Sequence, residues 1–290
     1  MDLFLQYLAN GVVIGSSYVL VAVGLTLIFG ILGVVNFAHG EFYMLGAYAG
    51  VTAVTLFGMP LPLALAVVLV FSALLGFGAE AILHKPMKNR DATSSIISSF
   101  GLAVALQNAA LLTLGPQPRL LKTEFSTIPI ELGPVFMPLQ RALIPVAMMV
   151  LIGALYLILR YTWTGRSLRS MSQHATVARL CGVRVERVAV VTFMVGAALA
   201  GVAGFLMSSV FMVHPIIGNM IVLKAFTVVI LGGMGNILGA AVAGLLLGIT
   251  ESMTSAYLAN GLRDIIGFVI VIAVLLFRPQ GLFGKAFERS

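Results

Sequence analysis

Residues 161–187 read YTWTGRSLRSMSQHATVARLCGVRVER, the longest polar interval in an otherwise apolar chain. With Arg160 just before it, this stretch gathers Arg160, Arg166, Arg169, Arg179, Arg184 and Arg187 against one acid, Glu186. Apolar runs of membrane length flank it on both sides. A loop this basic between two spans stays in the cytoplasm, because clustered Lys and Arg set orientation. Every other segment can be oriented from it.

Composition supports a membrane setting. Of 290 residues, 60% are hydrophobic and 9% charged, with mean hydropathy +1.09. Soluble domains carry about 25% charged residues, so a water-soluble surface is excluded. Several runs exceed the roughly 18 apolar residues that mark a membrane helix. A β-barrel would alternate in short segments instead. The net charge of +7 reports topology and is no footprint for nucleic acid. The single Cys181 rules out an internal disulfide and is placed in the reducing cytoplasm. The start, MDLFLQ, has no basic region or cleavage site, so the first apolar run is expected to remain as a span.

Working outward, spans are expected near 8–31, 42–57, 63–83, 96–114, 142–159, 188–210 and 265–277. The interval 84–91 carries Lys85, Lys88 and Arg90, and the tail from 278 carries Arg278, Lys285 and Arg289. Both are expected inside. The interval from Gly115 to Pro138 balances Arg119 and Lys122 with Glu124 and Glu131, which suits the outside. Propagation places the N-terminus outside and the C-terminus in the cytoplasm. Residues 212–252 start and end outside, so they enter and return. Two short helices are expected, near 221–231 and 237–250, broken at LGGMGNILGA. They form either a re-entrant hairpin or two short spans. The expected fold class is an all-α polytopic membrane protein with about eight transmembrane helices and this glycine-broken pair. It is one transmembrane domain over 1–290 with a cytoplasmic loop and helix at 160–187.

Two interruptions echo each other, GVVNFAHGEF near residue 40 and LGGMGNILG near 235. Paired broken helices point to a transport site between two halves. Ordinary glycine packing explains them equally well. Ionisable groups at membrane depth are expensive and so informative. His39 and Glu41 sit at the first break. Glu80, Lys224 and Glu251 are read as interfacial. Small residues recur at helix-contact spacing, as in Gly196–Ala200–Gly204 and Ala240–Gly244–Gly248. No catalytic or metal-ligand spacing is found, and there is no phosphate-binding loop of P-loop type. Active transport would therefore draw on ion gradients or on another subunit.

Within the basic loop, Ser170 and Gln173 fit a capping box, and Gly182 fits the left-handed residue after a helix. A helix over 170–181 is expected, with Met171, Ala175 and Ala178 on one face and Arg169 and Arg179 at its flanks. Such a small-residue face suits a partner's groove. The alternative is a plain anchor helix on the inner membrane surface.

Four stretches then carry a resemblance. GLTLIFGILGVVNFAHGEFYMLGAY, TGRSLRSMSQHATVARLCGV, LGGMGNILGAAVAG and FRPQGLFG together resemble the permease subunits of bacterial branched-chain amino acid ABC importers, the LivH type, over nearly the whole chain. The resemblance implies a multi-pass permease of the bacterial inner membrane without its own ATPase site or cofactor. It implies a second homologous permease, two cytoplasmic ATP-binding subunits that use the ATP, and an external substrate-binding protein. By the same likeness the helix in the basic loop couples to an ATPase, through Arg166, Arg169, Met171, Ala175, Ala178, Arg179 and Gly182. Gln173 and His174 depart from the family's usual Asn or Asp with Ala. Relatives also import urea or short amides, which is one alternative. An ion-gradient-driven secondary transporter is another. The substrate pathway is assigned to Asn36, His39, Glu41, Gly232, Gly233, Gly235 and Asn236. In that assignment the amides near Gly235 and Asn236 meet a carboxylate, and Glu41 or Asn36 meets the ammonium group.

Overall fold

The computed structural model describes residues 2–87, 90–258 and 260–284. Lys88, Lys285 and Arg289, counted above in the basic loops, lie outside the described residues. The helices are α1 (Asp2–Leu32), α2 (His39–Thr55), α3 (Leu61–Ala79), α4 (Lys85–Met87), α5 (Ala92–Leu114), α6 (Leu139–Tyr161), α7 (Trp163–Gln173), α8 (Ala175–Leu180), α9 (Val185–Met207), α10 (Ile217–Gly232), α11 (Ile237–Tyr257) and α12 (Arg263–Phe277). A π-helical turn, Glu80–His84, joins α3 to α4. One antiparallel hairpin, β1 (Pro129–Leu132) and β2 (Val135–Pro138), precedes α6. The architecture is all-α and polytopic, with that hairpin as its only sheet among the described residues.

Burial sorts the helices. The apolar windows of α1 and α9 are 83% and 72% buried, whereas those of α3, α5 and α6 are 17–22% buried. A helix apolar all round is either wrapped by protein or bathed in lipid. Here α1 is wrapped by α9, α11 and α10, while α3, α5 and α6 form the periphery. Between the wrapped helices the backbones nearly touch. A Cβ added at Gly46 would lie 2.3 Å from the Gly201 Cα, and one at Gly248 would lie 2.3 Å from the Gly15 Cα. Small residues permit this approach, which supplies dispersion where lipid removes the hydrophobic drive.

The molecule has two ends. Gln6 of α1 clasps β2, its Nε2 donating to the Phe136 carbonyl at 2.9 Å and its Oε1 accepting from the Phe136 N–H at 2.8 Å. That is the hairpin end. The other, basic end carries α7 and α8, where Leu168, Met171 and Val188 pack on Ile31 and Leu32 at the end of α1. Six helical stretches are long and apolar enough to cross a membrane, among them α1, α6, α9 and α11. α2, α10 and α12 have 17, 16 and 15 residues. The glycine-broken pair is thus α10 and α11, both longer than the sequence suggested, and α11 is of full length. Their break, with Gly233 at φ +98° and Gly235 at +85°, lies at the basic end. There the tail folds over it, Leu282 and Phe283 donating to the carbonyls of Leu231 and Gly232.

The expected single helix over 170–181 is two helices. Thr162, not Ser170, is the N-cap, accepting from Gly165 N at 3.0 Å. Gly165 sits 2.3 Å from the Ile158 carbonyl by the same added-Cβ measure, so the chain can turn sharply there. Ser170 is mid-helix and donates to the Ser167 carbonyl. The helix stops at His174, which is extended (φ −151°, ψ 99°), and restarts as α8. Gly182 does take φ +83°. Its N–H meets the Arg179 carbonyl, and Val183 N–H the Ala178 carbonyl, both at 3.0 Å. This pair is a Schellman closure.

Candidate functional site

After α1 ends at Leu32 the chain turns back along it. Residues 33–38 have no helical backbone, and α2 starts at His39. His39 Nε2 donates to the Val21 carbonyl at 3.1 Å, and the ring lies beside Gly24. Gly24 is eight residues before Leu32, about 12 Å from the end of α1 at 1.5 Å per residue. Gly24 also faces Gly196, eleven residues or about 16 Å into α9. The first turn of α2 therefore lies beside the middle of α9. The α5 helix holds the approach: Phe37 N–H donates to Ser99 Oγ at 3.1 Å.

Asn36, His39 and Glu41 are buried at this break, at 1% exposure or less. Asn36 Oδ1 caps the turn by accepting from Ala38 N–H at 3.0 Å. With the His39–Val21 bond, that leaves three atoms of the cluster unsatisfied. Asn36 Nδ2, His39 Nδ1 and Glu41 Oε2 are shielded and have no hydrogen-bond partner. Most buried polar atoms find partners, and each exception needs a reason. Glu41 faces the start of α10, where a Cβ on Gly218 would lie 2.6 Å from its Oε1. The first interruption thus meets the start of α10, and not the LGGMGNILG break with which the sequence paired it.

Gly232, Gly233, Gly235 and Asn236 are elsewhere. Gly235 packs on Gly30, six residues or about 9 Å along α1 from Gly24. Asn236 is the α11 N-cap, its Oδ1 accepting from Gly239 N–H at 3.0 Å and its Nδ2 donating to the Phe283 carbonyl at 2.8 Å. The residues assigned from sequence to the substrate pathway thus fall at two separate points along α1, and the glycine break is clasped by the tail.

A second polar cluster joins α10 to α11. Lys224 lies within α10 and Glu251 within α11, at 7% and 0% exposure, so both are buried inside the protein. Lys224 Nζ bonds Glu251 Oε1 and, at 2.7 Å, Asp264 Oδ1. Arg263 Nε donates to Glu251 Oε2 at 2.8 Å, and Tyr18 O–H donates to the same oxygen at 2.8 Å. Arg263 Nη2 reaches the Tyr18 oxygen at 3.2 Å. Four helices, α1, α10, α11 and α12, are tied by one network. Its signal in the sequence was two opposite charges in neighbouring apolar runs and an Arg–Asp pair opening the last run. Glu80 is also buried, at 5% exposure.

At the basic end the face drawn from sequence splits in two. Met171 and Ala178 are buried against the chain's own helices, while Ala175 is exposed. What α8 offers outward is Val177 and Leu180, 55% and 83% exposed, next to exposed Arg179. Arg166 stacks on the exposed Trp163, 4.0 Å from its ring centroid. Arg169 reaches back to the Arg160 carbonyl at 3.4 Å. Cys181 is free and exposed.

The family model described as "Branched-chain amino acid transport system / permease component" matches residues 7–275. The chain belongs to this permease family. It is 35% identical, over 97% of its length and 96% of theirs, to the high-affinity branched-chain amino acid transport system permease protein LivH of Escherichia coli K12. It is 34% identical, at the same coverage, to the permease protein BraD of Pseudomonas aeruginosa PAO1. A further relative is the permease protein LivM of Escherichia coli K12, 25% identical over 91% of this chain and 67% of that one. No solved structure matches the permease. Both interrupted segments, both polar clusters and the α7–α8 platform fall inside the matched residues.

Proposed function

We propose that the chain is the membrane-spanning subunit of an ATP-driven importer in a bacterial inner membrane, carrying branched-chain or related amino acids delivered by an external binding protein. Full-length similarity to LivH and BraD carries this reading. The basic end, with the arginines of α7 and α8, faces the cytoplasm. The N-terminus and the β hairpin are outside, and the tail is cytoplasmic. A second homologous permease completes the pathway; LivM, also a relative, is the kind of chain that would pair with it.

Each part then has a role. One of two cytoplasmic ATP-binding subunits docks on α8 through Val177 and Leu180, with Arg179 and Arg166 at the rim, and the other docks on the second permease. Met171 and Ala178 transmit the movement, because they key α7 and α8 to α9 and to the end of α1. The three unsatisfied atoms around the start of α2 lie where a zwitterion passes, and the free Glu41 oxygen receives its ammonium group. ATP-driven closure shifts α7–α8, and the gates on either side of the α2 start exchange.

The test combines native purification with uptake. Co-purification of two ATP-binding subunits and a second permease, with leucine uptake dependent on ATP, is the expected result. Leu180→Asp with Val177→Asp should leave insertion intact and abolish ATP-dependent uptake. Uptake by the chain alone in liposomes without ATP would overturn the proposal in favour of a gradient-driven transporter.

A further inference from the structure

At the hairpin end, between α1, α6, α11 and the start of α12, lies a cavity of about 300 Å³ that the transport reading leaves unused. Its polar wall is Tyr7, Asn10, Arg141, Ser252, Ser255 and Arg263, and among the described residues no carboxylate lines it. The ion network behind it is closed on itself. Both Glu251 oxygens and one Asp264 oxygen already accept from Lys224, Arg263 and Tyr18. The formal charges of Lys224, Arg263, Glu251 and Asp264 cancel. Arg141 is therefore one excess positive charge on the cavity wall. Among the described residues it forms none of the salt bridges, and its Nε is shielded from solvent with no acceptor.

A guanidinium is always charged and offers five N–H donors in a fixed fork that matches phosphate oxygens two at a time. A buried donor on a charged group is stabilised by an anion that accepts from it, and the Arg141 Nε is such a donor. We propose that this cavity binds the phosphate of an anionic phospholipid headgroup, with Arg141 as the fork and Asn10 and Ser255 as neutral donors. Inorganic phosphate is the other source of the same chemistry. The surroundings favour lipid. α6 shows most of its surface outward. Leu3 is 70% exposed and shares a face of α1 with Tyr7 and Asn10, four and seven residues on. Phe211, on the cavity wall, and the adjacent Met212 are exposed as well. Acyl chains can lie on this apolar rim while the phosphate enters. The volume is at the small end for ligand pockets, which suits a headgroup and excludes its chains. Basic pockets between membrane helices recognise such headgroups.

The test uses the permease with its accompanying subunits, delipidated in mild detergent and followed by native mass spectrometry. Phosphatidylglycerol should be retained at least tenfold better than diacylglycerol with the same acyl chains. Arg141→Gln should abolish that preference, and Arg160→Gln at the opposite end should keep it. Equal retention of the two lipids, or an unchanged preference in Arg141→Gln, overturns the site. Inorganic phosphate that alone raises the melting temperature and displaces the lipid overturns the lipid assignment in favour of a free oxyanion. Should Arg141→Gln fail to fold, Asn10→Leu fills the cavity from the opposite wall and must show the same loss; retained preference there overturns the proposal.

Discussion

Two polar clusters are buried in this chain, and they are built on opposite plans. Around Glu251 every charge has an opposite and both carboxylate oxygens are occupied. Around Glu41 three neighbouring polar atoms have no partner. The two carboxylates are equally sequestered, at 0% and 1% exposure. Burial therefore does not distinguish them, but satisfaction does. A fully paired network in a low-dielectric interior rigidifies what it joins, and the Glu251 network joins four helices. An unpaired one is tolerated only where something else meets it. The first cluster holds the fold, and in the proposed transport role the second meets a passing solute.

The largest expected effect comes from breaking the paired cluster. Glu251→Ala leaves Lys224 and Arg263 without their shared partner, and removing one member of a buried pair costs about 3–5 kcal/mol. The melting temperature in detergent should collapse, and membrane yield with it. A melting temperature close to that of the parent chain would erase the contrast between the clusters. Next in size is Gly46→Val. Even its Cβ would sit 2.3 Å from the Gly201 Cα, and overpacking of this kind costs about 1–3 kcal/mol. Limited proteolysis should show α2 loosened from α9. Unaltered protease resistance would mean that the helices can part at no cost.

Thr162→Ala is milder. It removes the cap on Gly165 N and should cost about 0.5–2 kcal/mol. The loss should be local, read as faster hydrogen exchange in the first turn of α7. Unchanged exchange there would deny Thr162 its role. The smallest stability effect belongs to Glu41→Gln. It removes no hydrogen bond seen in the structure and replaces a buried unpaired carboxyl oxygen with a neutral amide, so stability should not fall, while uptake falls at least tenfold. This variant separates the clusters most sharply, because its stability and its function should part.

Much of this was legible in the sequence, and the reasons are physical. Apolar runs of fixed length and loops of clustered arginine gave the spans, and Gly182 announced its left-handed turn through its place after a helical stretch. Asn36, His39 and Glu41 were visible because polar residues inside an apolar run are expensive. What sequence could not supply was pairing across distance. Lys224 and Glu251 are 27 residues apart, and nothing local distinguishes two interfacial charges from one buried ion pair. Helix phase failed in the basic loop for a similar reason. The 170–181 pattern is continuous on paper, but extended His174 rotates α8 relative to α7. Ala175 then faces outward and Ala178 inward, and the exposed pair becomes Val177 and Leu180. The depth of the glycine break also needed the tail, whose backbone clasps Leu231 and Gly232 from fifty residues away.

The most direct measurement compares Glu41→Gln with Glu251→Gln in one experiment, recording melting temperature and initial leucine uptake for each. Glu41→Gln should keep the parent melting temperature and lose transport. Glu251→Gln should lose melting temperature first, and its uptake should fall only in proportion to the folded protein that remains. If Glu41→Gln transports at the parent rate, or if it melts as low as Glu251→Gln, the two clusters do not divide the labour of fold and transport between them.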